Sequence, residues 1–110
     1  MKRKLNEQII NDIESEVILM LLNCIENEEN KGSFLWNANN PYYAEAFGIY
    51  RGLSVLGYTF FGATNMPTVK ENALWWFSEC QKQAEKLKNE LGIKEALKLY
   101  NQKCSEISKR

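Results

Sequence analysis

Histidine is absent from this 110-residue chain, proline occurs only twice and cysteine three times. Without an imidazole the usual acid or base for chemistry near neutral pH is missing, and zinc sites of the Cys/His kind lose most of their ligands. A carboxylate pair such as Glu45 with Glu71 or Glu79 is conceivable as acid and base, but nothing in the sequence separates their pKa values. No positioned nucleophile with its base can be picked out, so the chain reads as non-enzymatic, with no metal and no cofactor. Cys24, Cys80 and Cys104 lie far apart, form no C-x-x-C, and each falls on the apolar stripe of a predicted helix. They read as small core hydrophobes in a reducing compartment rather than as a disulfide framework.

Charge is scarce in one region and balanced overall. The formal net charge is zero, which argues against nucleic acid as the partner. Between Gly52 and Val69 there is no Asp, Glu, Lys or Arg, yet Gly57, Gly62, Thr64, Asn65 and Pro67 interrupt the span and Arg51 flanks it, so no membrane helix is expected. The basic start Lys2-Arg3-Lys4 runs into Asn6-Glu7-Gln8 instead of an apolar stretch, so a cytoplasmic location is expected. The segment Gly57 to Asn65, GYTFFGATN, has spaced glycines but lacks the Gly-Lys-Ser/Thr ending of a phosphate-binding loop and follows a helix rather than a strand.

What is present is helix periodicity. The chain has the length of one ordinary domain, and the pattern predicts an all-α bundle of four helices at about 6–29, 41–56, 68–91 and 93–107. In the first, Ile9, Ile10, Ile13, Val17, Met20, Leu21, Cys24 and Ile25 form one face, while Ile18, Leu19 and Leu22 lie off it. They make the middle of this helix apolar all round, so it is either central in the fold or pressed against a second copy or another protein. The polar run 26–32 ends in Gly32, a helix stop, and Phe34, Leu35 and Trp36 are placed to cover the core.

Asn40-Pro41 reads as N-cap and first residue of the second helix. That helix carries a bulky stripe of Tyr43, Ala46, Phe47, Tyr50, Leu53 and Ser54, and a narrow one of Ala44, Gly48 and Gly52 at spacing four. Each glycine inside a helix costs about 1 kcal/mol relative to alanine, so a close neighbouring backbone is expected there and the second helix is predicted to be the buried middle of the bundle. Thr68-Val69-Lys70-Glu71 fits a capping box, opening a third helix with the stripe Ala73, Trp76, Phe77, Cys80, Ala84, Leu87 and Leu91. Gly92 is placed as a left-handed C-cap with Ile93 against Leu87, and the fourth helix is an ordinary amphipathic one.

Residues 5–30 carry seven acids and no base, whereas residues 81–110 carry eight bases against four acids. Either the first and last helices pack as neighbours with complementary faces, or the asymmetry serves self-association or a charged partner. Arg51 is the only charge between Ala46 and Val69. Its side chain reaches solvent, pairs with a carboxylate such as Glu79, or meets an anionic ligand.

Trp75 and Trp76 are adjacent on a helix and cannot both face one core. Trp75, with Ile18, Leu19, Leu22 and the loop residues Tyr58, Phe60 and Phe61, is therefore the candidate protein-binding surface, in a module expected to form a homodimer. The alternative is an anion, nucleotide or nucleic-acid site using Arg51, Tyr58, the 57–67 loop or the lysines from Lys82 onward.

The stretch Ala46 to Phe77, AFGIYRGLSVLGYTFFGATNMPTVKENALWWF, resembles small proteins carried by phages and mobile elements of low-GC Gram-positive bacteria, and the heavy use of lysine and asparagine is similar to theirs. Such proteins often bind and block a host factor, sometimes an immune nuclease. The resemblance thus implies an inhibitor that occludes a host component.

Overall fold

The computed structural model describes residues 3–4 (backbone only), 6–32, 36–59 and 68–109. Four helices dominate: α1 (Glu7–Lys31), α2 (Pro41–Val55), α3 (Val69–Leu91) and α4 (Ile93–Ser108). Their ends lie within two residues of the sequence-derived ones because the local stop and start signals operate as expected. Asn6 caps α1, its Oδ1 accepting from the Ile9 N–H at 2.8 Å, and Gly32 closes that helix in the left-handed conformation with φ 68° and ψ 27°. Thr68 caps α3 by accepting from the Glu71 N–H at 3.1 Å. Gly92 departs from expectation: with φ 83° and ψ 151° it is not a left-handed helical cap, and it serves as both the last cap of α3 and the first of α4. A sharp one-residue corner needs this glycine-favouring conformation rather than a Schellman turn.

The core is built around α1, not α2. Helix α1 packs against all three other helices, most extensively α4, whereas α2 touches α1 and α3 but not α4 among the described residues. Val17, Ile18, Leu21, Leu22, Cys24 and Ile25 are all buried to 1 % exposure or less. Each such aliphatic side chain contributes about 1.5–3 kcal/mol by leaving water. Its all-round apolar character is thus explained by three neighbours inside one chain. Adjacency of the acid-rich α1 to the basic α4 is the complementary-face arrangement.

Prediction of a central α2 is corrected by burial: only Ala46 and Tyr50 of its fifteen residues are buried. Gly48 and Gly52 are exposed, and a Cβ built on either meets no atom within 4 Å. Among the described residues no neighbouring backbone approaches the glycine stripe.

Two further features were not anticipated. Arg3–Lys4 (β1) pairs in parallel with Tyr58–Thr59 (β2), Arg3 opposite Tyr58 and Lys4 opposite Thr59, so the chain's start is tied to the segment just after α2. In addition, Glu28, within a run read only as a helix stop, is 1 % exposed.

Candidate functional site

Inner and outer faces of α2 differ sharply. On the inner edge, aromatic rings bind it to α3: Tyr50 stacks on Phe77 with centroids 4.8 Å apart, Tyr43 meets the same ring edge-on at 5.9 Å, and Phe47 does so at 6.1 Å. Trp36 extends the cluster by resting against Tyr43 at 6.2 Å. Edge-to-face and offset pairs of this kind add about 0.5–1.5 kcal/mol each beyond area burial. One ring on α3 thereby anchors three on α2, and the orientation of α2 follows from it.

Because that edge is held against α3, the opposite side faces outward. Ala44, Gly48, Gly52 and Val55 run along it, all exposed, with Val55 at 78 %. Glu45 and Arg51 flank the stripe and are exposed too. Leu56 at 57 % and Phe47 at 40 % border the same helix, and Leu74 on the neighbouring α3 is 51 % exposed. The result is a helix whose only charges are Glu45 and Arg51, otherwise apolar or small, and covered on one side only among the described residues; a helix of that composition is normally enclosed.

The N-terminal end of α2 is held by a polar clasp. Asn40 accepts from the Tyr42 and Tyr43 N–H groups at 2.9 and 3.4 Å, while its Nδ2 donates to Asn27 Oδ1 at 3.0 Å and to Glu28 Oε2 at 3.1 Å. One side chain therefore caps α2 and ties it to the end of α1. Sequence alone marked Asn40 as a cap; its second role was invisible because Asn27 and Glu28 lie in a run that reads as solvated.

Several predicted site residues are placed elsewhere. Ile18 and Leu22 are 1 % and 0 % exposed within their own chain, and Leu19 is half-buried against the core. These three are withdrawn as a docking surface because α2, α3 and α4 already enclose α1. Trp76 is buried, and Trp75 is half-buried and packed on the core cluster instead of standing free. Tyr58 is half-buried in β2; Phe60 and Phe61, with most of the 57–67 loop, lie outside the described residues. Arg51 reaches solvent and makes no ion pair with a described residue, Glu79 being paired with Lys82 at 3.3 Å. The structure does not bring Trp75, Ile18 and Leu22 into one accessible patch.

The three thiols are buried and none is joined in a disulfide. Burial pushes Cys24 and Cys104 up to about 11, with nearby Glu28 and Glu16 respectively adding to the shift, and raises Cys80 further. Thiols so disposed are poor nucleophiles. Among the described residues no three His, Cys, Asp or Glu side chains gather as metal ligands, and no helix is long and apolar enough to cross a membrane. Comparison with known protein families, with curated proteins and with solved structures finds no match.

Proposed function

We propose that this chain is a non-enzymatic protein-binding module whose docking surface is the outer face of α2. The observation that carries the reading is the uncovered stripe Ala44, Gly48, Gly52 and Val55 on a helix with almost no charge. Two interior glycines weaken α2 by about 1 kcal/mol each, and no contact among the described residues offsets this. A partner backbone lying close against the stripe would. The phage-type resemblance supplies one biological form of this reading, in which the docked partner is a host component that the contact occludes. The test is a photo-cross-linking residue introduced at Val55, with Lys98 on α4 as control position. Adducts with a protein at Val55 and not at Lys98 are expected, and Gly48→Leu should weaken binding by at least about tenfold. Equal labelling at both positions, or none, removes the reading.

A second reading is favoured by one observation, the β1–β2 pairing that lays the basic Arg3–Lys4 backbone beside Tyr58 and Thr59, seven residues after Arg51. In that reading the end of α2 and the chain's start form an anion or nucleotide site. Thermal shift against a nucleotide panel, with Arg51→Ala as control, decides it: stabilisation that disappears in the variant supports the site, and no shift at millimolar ligand discards it.

A further inference from the structure

Whatever meets its outer face, we propose that α2 is a strap that swings out of the bundle as a unit while α1, α3 and α4 stay closed, and that each opening uncovers Cys24 and Phe77. The way the helices are packed permits this. Helices α1, α3 and α4 each touch both of the others, whereas α2 touches α1 and α3 but not α4 among the described residues, so its departure parts no other pair of helices. A closed three-helix core remains behind.

Local energetics point the same way. Helix α2 buries two of its fifteen residues, against eight of twenty-five in α1 and six of twenty-three in α3. It joins no ion pair with another described element, and its two interior glycines lower its helicity. Segments with so little buried contact open at a lower free energy than the whole molecule. What holds α2 runs along one edge: the three rings on Phe77, half-buried Ile49 and Leu53, a Tyr43–Gln81 hydrogen bond and the Asn40 clasp. Even the clasp is incomplete, because Glu28 is 1 % exposed and its Oε1 has no hydrogen-bond partner among the described residues. An unsatisfied buried oxygen disfavours the closed state, and water reaching it on opening removes that penalty.

The three thiols are placed to report on the motion. Cys24 is 0 % exposed and hydrogen-bonded to the Tyr43 backbone of α2. Cys80 lies near Glu14 of α1 and Tyr100 of α4, and Cys104 is hydrogen-bonded to Glu16 of α1, so both belong to the part that stays closed. Departure of α2 therefore exposes Cys24 alone.

The experiment is alkylation of the native chain with iodoacetamide, read at each cysteine by peptide mass spectrometry and normalised to the rate in the urea-unfolded chain. Cys24 should react at least about tenfold faster than Cys80 and Cys104, with the amides of α2 exchanging hydrogen ahead of those of α1 and α4. Gly48→Ala, which adds a methyl group in open space, should slow Cys24 about fivefold; fraying at the end of α1 would not respond to it. Leu97→Ala, in the buried face of α4, should speed Cys104 at least about tenfold and leave Cys24 unchanged, because the strap opens without disturbing α4. Equal rates at all three thiols, or a Cys24 rate unmoved by Gly48→Ala, overturns the proposal. So does acceleration of Cys24 in step with Cys104 in Leu97→Ala, the pattern of a bundle that opens only as a whole.

Discussion

Asn40 joins two helices through one side chain. Loss of a cap oxygen costs about 0.5–2 kcal/mol, and a buried polar group left without its donor costs about 1–3 kcal/mol more. Asn40→Ala removes the donor to a Glu28 carboxyl whose other oxygen, Oε1, has no hydrogen-bond partner among the described residues. Urea unfolding of Asn40→Ala should therefore show a loss of roughly 2–4 kcal/mol, larger than for Asn6→Ala at the exposed cap of α1. Glu14 is a second residue with a measurable signature. Its pKa is raised by burial, an effect partly opposed by nearby Lys103. A carboxyl raised in the folded state disfavours folding once ionised. Its penalty is absent below the ordinary value and grows as pH rises through the raised one. Thermal melts of Glu14→Gln should thus match the parent at pH 4 or below and exceed it at pH 7; a gain confined to acid would contradict the assignment.

At the scale of the element, α2 is built against its own stability. Gly48→Ala and Gly52→Ala place a methyl group in open space on a helix, so each should stabilise the monomer by about 1 kcal/mol. At low micromolar protein the double variant should melt roughly 8 °C higher. The same change at Gly32, held at φ 68°, should destabilise. Spacing-four glycines were legible in the sequence as a site of close backbone approach, and their cost was legible too. Which molecule supplies the neighbour was not. Intrahelical spacing defines the face, but only the direction in which Tyr43 and Tyr50 meet Phe77 shows that the face points away from this chain. Trp75 illustrates the converse: a wheel puts it opposite Trp76, yet neighbouring parts of the fold half-cover it.

At the scale of the whole molecule, stability and recognition separate onto different helices. Leu22 in α1 is fully enclosed and Val55 in α2 is the most exposed large apolar residue described. Leu22→Ala should cost about 2–5 kcal/mol in denaturant unfolding, and Val55→Ala should stay within about 0.5 kcal/mol of the parent. Comparable losses at both positions would mean that α2 is covered in the isolated chain. The single ion pair described between separate helices, Glu29 with Lys88, is half-exposed on both sides and adds at most about 1 kcal/mol, so charge contributes little to holding this bundle.

By itself the sequence determined the all-α architecture, the caps at Asn40 and Thr68, the inward stripe of α3 as far as Leu87 but not Leu91, which is exposed, that of α4, and the burial of all three thiols. These follow from backbone hydrogen bonding and periodicity within a few residues. Tertiary structure alone decided that α1 is central, that α2 lies at the edge with its glycines outward, and that Ile18 and Leu22 belong to the core. The middle of α1 and most of α2 are apolar nearly all round, so local pattern cannot rank them. Contact between helices distant in sequence does, and it leaves only one of the two with a face uncovered.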